Sequence, residues 1–88
     1  MKDIIKTELG EYKKVLATND FIYYLISNEY DENGMVLMYT TTGELRSNNY
    51  FATSSYMDDM EEIINGNIKA IYVDKEELKN AKEYFKNI

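Results

Sequence analysis

The hydrophobic pattern of the chain changes period several times, and each change marks an element. Ile5, Leu9, Tyr12 and Leu16 recur at spacings of four, three and four, which places them on one face of a helix over residues 2–18. Lys2, Lys6, Lys13 and Lys14 with Glu8 and Glu11 form its wet side. Gly10 lies inside the pattern, where it costs about 1 kcal/mol relative to Ala, and predicts a bend or break. Residues 21–30 (FIYYLISNEY) are aromatic and β-branched without a helical period, so they read as a strand. Both faces of that strand are apolar near its start, which predicts a central place in the sheet. Asp31-Glu32-Asn33-Gly34 is a turn whose Asn-Gly pair tolerates positive φ. Residues 35–42 return as the second strand of a hairpin, residues 43–49 read as a polar loop, and residues 50–53 as a short third strand.

Ser55, with Asp58 three residues on, is a helix start signal. Beyond it Met57, Met60, Ile63 and Ile64 share one stripe, and Asp58, Asp59, Glu61 and Glu62 fall on the opposite side of a 3.6-residue period. Asn65-Gly66 stops this helix. Residues 68–73 read as a buried strand. Asp74 with Glu77 repeats the cap-and-acid pairing and opens a terminal helix whose Leu78, Ala81, Phe85 and Ile88 share a face. The expected order is α-β-β-(β)-α-β-α: an α+β fold with a mostly antiparallel sheet and its helices packed on one face, in a single small domain spanning 1–88.

Composition removes many chemistries. Eighty-eight residues support one core, and 44% hydrophobic with 30% charged residues is the profile of a folded chain. Without Cys there is no disulfide and no zinc–thiolate site. Without His the commonest general base, the Ser-His and Cys-His nucleophile systems and the most frequent transition-metal ligand are gone. The expectation is a protein that is not an enzyme and uses no catalytic residue, metal or cofactor. The longest apolar run, Phe21 to Ile26, is too short to cross a bilayer, and the first residues lack the apolar region of a signal peptide. A cytoplasmic location follows as the expectation.

Charge changes the picture most. Between Lys14 and Lys69 stand nine acidic side chains and a single cation, Arg46. A one-signed field over most of a small domain repels nucleic acid and attracts basic surfaces. Other motifs lose to simpler readings. Tyr56-Met57-Asp58-Asp59 spells the catalytic tetrapeptide of reverse transcriptases, but here it opens an amphipathic helix in a chain too short for a polymerase palm. Acids in a first helical turn also favour the macrodipole. Residues 31–34 vaguely match a calcium loop, but Val36 and Thr42 stand where the EF-hand needs Gly and Glu. The nine tyrosines lack the basic groove that base-stacking proteins require, so direct nucleic-acid binding is not expected. Met35, Met38, Met57 and Met60 read as core filling rather than an adaptable groove.

What remains is the acidic set: Asp58, Asp59, Glu61 and Glu62, with Glu29, Asp31, Glu32 and Glu44. Rows of carboxylates can take the place of nucleic-acid phosphates on a partner's lysines and arginines. In size, acidity and tyrosine content the chain resembles the small anti-defence proteins of phages and mobile elements, including anti-CRISPR, anti-restriction and glycosylase-inhibitor proteins. That resemblance is one of class and assigns no site residue. It implies a small acidic inhibitor docking on a basic, nucleic-acid-binding effector; the acidic residues themselves place the expected contact on the 55–64 helix and the 31–34 turn. Tyr56 and Tyr30 would stand at its edge as aromatic anchors. The alternative is a structural or regulatory interaction domain (adaptor, small subunit or antitoxin) that binds through an apolar Tyr/Met face, its acids serving solubility.

Overall fold

The N-terminal segment is a β-hairpin, where the spacing of its apolar residues predicts a helix. β1 (Ile4–Thr7) and β2 (Gly10–Ala17) pair antiparallel. Gly10 makes the turn with φ at 132°, and the Thr7 hydroxyl closes it, accepting from the Leu9 N–H at 3.2 Å and donating to the Gly10 carbonyl at 3.0 Å. The four-three-four spacing is a coincidence of the β pattern. Leu9 lies on the exposed turn, while Tyr12 and Leu16 belong to clusters on opposite faces of the sheet. Val15, Leu16, Ala17 and Thr18 are buried in succession, which a strand covered on both faces achieves and an amphipathic helix does not. A Cβ on Gly10 would also meet Ile26 Cδ1 at 3.1 Å. Gly10→Ala is therefore expected to destabilise the protein by about 1–3 kcal/mol, read as a lower urea midpoint with an unchanged slope.

The described residues of this computed structural model are 2–26 and 35–87. β3 (Phe21–Leu25), β4 (Val36–Thr40) and β5 (Leu45–Asn48) follow, then α1 (Asn49–Ile64), β6 (Tyr72–Val73) and α2 (Lys75–Lys86). The sheet runs β1-β2-β3-β4-β5, every pair antiparallel, and β6 joins β2 through Leu16 and Ala17, beyond the stretch that β1 occupies. β3 is central, as its two apolar faces predict. Residues 45–48, read from sequence as loop, form an edge strand whose Leu45 and Arg46 face solvent. Residues 50–53, read as a strand, belong to α1, so Ser55 lies inside that helix rather than at its cap. Of the strand expected over 68–73 only Tyr72 and Val73 pair, and Ile68 and Ile71 are exposed. The 31–34 turn and Ile88 lie outside the described residues.

Both helices pack on one face of the sheet, as expected for this α+β arrangement. Tyr23, Leu25 and Val36 meet Ala52, Tyr56 and Met60 of α1 and Ala81 of α2. The opposite face buries Tyr12, Ile22, Tyr24 and Leu37 without a helix. The curl of the sheet covers them, bringing the Tyr24 hydroxyl to the Lys2 carbonyl at 2.8 Å. Bulges between Lys14 and Leu16 and between Met38 and Tyr39 supply that curvature.

The helix stops follow their sequence signals. At the end of α1, Asn67 N–H bonds the Glu62 carbonyl and Gly66 N–H the Ile63 carbonyl, with Gly66 at φ 79°, a Schellman ending. At the start of α2 the Asp74 carboxylate accepts from the Glu77 N–H at 3.1 Å and pairs with Lys13 Nζ at 2.8 Å, tying the helix to β2. The Lys13 hydrogen bond holds the Asp74 carboxyl below its usual range, reinforced by its backbone donors. A depressed carboxyl pKa stabilises the fold above the ordinary carboxyl range, and that contribution is lost as pH falls through the folded value. Asp74→Ala is expected to cost about 1 kcal/mol at pH 7. Asp74→Asn keeps the cap acceptor and loses only the charge, so its gap from the parent should close below pH ~4 in thermal melts taken from pH 7 to 2.

Candidate protein-binding face

α1 presents the acids because its other side is committed to the core. Ala52, Thr53, Tyr56 and Met60 are buried, with Met57, Ile63 and Ile64 half-buried beside them. Asp58, Glu61 and Glu62 are thereby left exposed along one stripe, within a rise of about 6 Å. Neither ion pair among the described residues, Lys13–Asp74 or Lys14–Asp3, involves them. Their placement opposes local stability. Asp58 and Glu62 are like charges at i and i+4. Glu61 and Glu62 also occupy the last turn, which has no basic residue to meet the negative end of the macrodipole.

Asp59 departs from the expected arrangement. It lies on the flank of α1, half-buried, and accepts a hydrogen bond from the Tyr23 hydroxyl of β3. Burial first, then that bond and the charges of Asp59 and Asp58, push the Tyr23 phenol well above its usual range. Tyr23 and Tyr56 are both buried and stack at a tilt, ring centroids 5.6 Å apart. The Tyr56 hydroxyl in turn donates to Glu77 Oε1 of α2, in the core. A polar thread Asp59–Tyr23 and Tyr56–Glu77 thus joins sheet, α1 and α2, and orients the helix that displays the acids.

The sequence-expected site residues divide three ways. Asp58, Glu61 and Glu62 share the exposed stripe, with Asp59 on its flank. Glu29, Tyr30, Asp31 and Glu32 lie outside the described residues. Tyr56, expected at the edge of the contact, is 1% exposed and faces the core. Its position on the apolar stripe was the available signal: it falls one turn before Met60. Glu44 is exposed in the β4–β5 turn, where Thr40 N–H bonds its carbonyl, and the neighbouring Thr41 N–H reaches the Asp20 carbonyl. Asp20 and Asp59 line one depression with Lys69. The pattern did not single out Asp20, because it stands alone in a turn.

Sequence reasoning also passed over the cations. Lys75, Lys79, Lys82 and Lys86 are all exposed on α2 at spacings of four, three and four, which makes one lysine stripe. α1 carries acids and no lysine, whereas on α2 Glu76, Glu77 and Glu83 stand among the lysines. No group of three or more acidic, His or Cys side chains suited to a metal occurs among the described residues. No described helix is long and apolar enough to cross a membrane. No family model, curated protein or solved structure matches this chain.

Proposed function

We propose that this protein is an acidic protein-binding antagonist that docks on the basic surface of a nucleic-acid-binding effector and excludes the nucleic acid. The observation that carries this reading is the exposed stripe of Asp58, Glu61 and Glu62, unpaired among the described residues and set where helix electrostatics disfavours it. Phosphates along one DNA strand recur about every 3.4 Å of axis. Three carboxylates over a similar rise present comparable charge on a rigid support. Anti-CRISPR and anti-restriction proteins are the class this reading joins, acting without catalysis or cofactor in the compartment of their target. The apolar Tyr/Met alternative has less to work with, since Tyr12, Tyr23, Tyr24, Tyr56 and Met60 are in the core.

Capture of a basic effector from lysate at low salt, followed by competition with its DNA or guide RNA, tests the reading. Binding should weaken steeply as salt rises. The triple reversal Asp58→Lys, Glu61→Lys, Glu62→Lys should reduce affinity at least tenfold while raising the melting temperature, because the new lysines of the last turn meet the negative end of the macrodipole. Binding indifferent to salt, or retained by the triple variant, overturns it.

A further inference from the structure

We propose that the open edge of β1 is a second docking site, which takes an extended acidic segment of a partner protein as an added strand. The backbone geometry sets out which groups are available. Lys14 N–H bonds the Asp3 carbonyl at 2.9 Å, and the register pairs Ile4 with Lys13 and Ile5 with Tyr12. Antiparallel pairs alternate between hydrogen-bonded and non-bonded positions. Asp3, Ile5 and Thr7 therefore turn their backbone groups toward β2, while the N–H and C=O of Ile4 and Lys6 point away from it. β1 ends the strand order, so no described strand meets those groups.

These groups border a groove of about 690 Å³ rather than a flat rim. Lys2, Ile4, Ile5 and Lys6 form one side, and Tyr39 and Gly43, from β4 and the turn after it, face them. Residues from both faces of β1 line it, as expected of a groove that runs along the strand's edge. Its volume falls in the range of sites that enclose a ligand. A segment lying there meets Ile4, Ile5 and Tyr39 as apolar wall and receives main-chain bonds from Ile4 and Lys6, the mode of strand addition.

Charge selects the occupant. Lys6 of β1 and Lys2, which precedes the strand, are both exposed and both line the groove, with Ile4 between them in sequence. The complementary segment carries acidic side chains toward the two lysines and an apolar side chain toward Ile4. A second copy of this chain added along this edge would bring its own Lys2 and Lys6 to a groove that already holds both. Like charges brought together are unfavourable, so that pairing is disfavoured.

A capped seven-residue peptide with glutamate at its second and sixth positions, valine at its fourth and threonine elsewhere is the probe. Titrated into the 15N-labelled protein, it should shift the amide signals of Ile4 and Lys6 and slow their hydrogen exchange at least tenfold. Those of Ile5 and Thr7, already bonded to β2, should stay as they are. Ile4→Pro removes an outward donor and no β1–β2 bond, and should weaken binding at least tenfold. Lys2→Glu with Lys6→Glu should do the same and transfer preference to the peptide with lysine in place of glutamate. The α1 triple reversal should leave this binding unchanged, which separates the two surfaces. The proposal is overturned if the glutamate and lysine peptides bind alike, if protection appears away from Ile4 and Lys6, or if the double lysine variant binds as the parent does. It is equally overturned if the edge responds only by self-association in sedimentation.

Discussion

Tyr56→Ala is expected to leave little folded protein at 37 °C. Tyr56 is 1% exposed, packs on Tyr23 across the sheet–helix layer, and donates its hydroxyl to Glu77, itself 1% exposed. Truncating a large core aromatic costs about 3–5 kcal/mol, and a domain of this size has little more than that to lose. The gentler variants separate packing from polarity. Tyr56→Phe keeps the ring and deprives a buried carboxyl group of a donor, at about 1–3 kcal/mol. Glu77→Leu deprives the hydroxyl of its acceptor at a similar cost. Together they replace both polar groups by apolar ones, which is far less damaging than either alone. Urea unfolding of the two single variants and the double should therefore show strong non-additivity, about 1 kcal/mol or more of coupling. Additive losses would mean that the two groups do not depend on each other.

Alkali should unfold this protein through Tyr23. Burial and the Asp59 acceptor raise its phenol in the folded state, whereas in the unfolded chain it titrates near its usual ~10. A raised phenol pKa stabilises the fold fully below pH ~10, and the contribution is lost as pH climbs toward the folded value. Above pH ~10 the loss approaches 1.4 kcal/mol per pH unit from this group, less screening by solvent. Burial also raises the phenols of Tyr12 and Tyr24, which act in the same direction. Tyr23→Phe should be the less stable protein at pH 7, lacking the bond to Asp59, and the gap should narrow above pH 10. Absorbance at 295 nm followed with circular dichroism checks it: Tyr23 should ionise only as the fold is lost. A smooth tyrosine titration with intact structure would contradict the assignment.

The parts of the fold legible in the sequence were those decided within a few residues of chain. Asn65-Gly66 ended α1 as read, because only the left-handed freedom of glycine allows that closure. Asp74 capped α2 as read, because its short carboxylate reaches an N–H three residues on. β3 and β4 paired as a hairpin and set β3 at the centre, as the apolar run at Phe21–Leu25 required. The N-terminal hairpin was missed because four apolar residues matched a helical period, while Gly10 and the β-branched Ile4, Ile5 and Thr7 argued for the alternative. The start of α1 is hidden because residues 50–53 (YFAT) have the aromatic and β-branched composition of a strand, although Asn48 is a favoured cap residue.

The candidate face was half legible. Period alone put Asp58, Glu61 and Glu62 on the solvent side of a helix whose apolar stripe was plain. The place of Asp59 depended on Tyr23, distant in sequence, which reaches it across the layer. Glu77 looked like an ordinary first-turn acid until Tyr56 met it in the core.

Charge inventory, helix stops and the amphipathic register of α1 were thus settled along the chain, since each depends on neighbours one turn away at most. Three features awaited assembly: the curl that covers a second apolar cluster, the tyrosines that bind carboxylates inside the core, and the open edge of β1 beside the β4–β5 turn. Each joins segments more than twenty residues apart, and no local spacing records which segments a sheet will bring together.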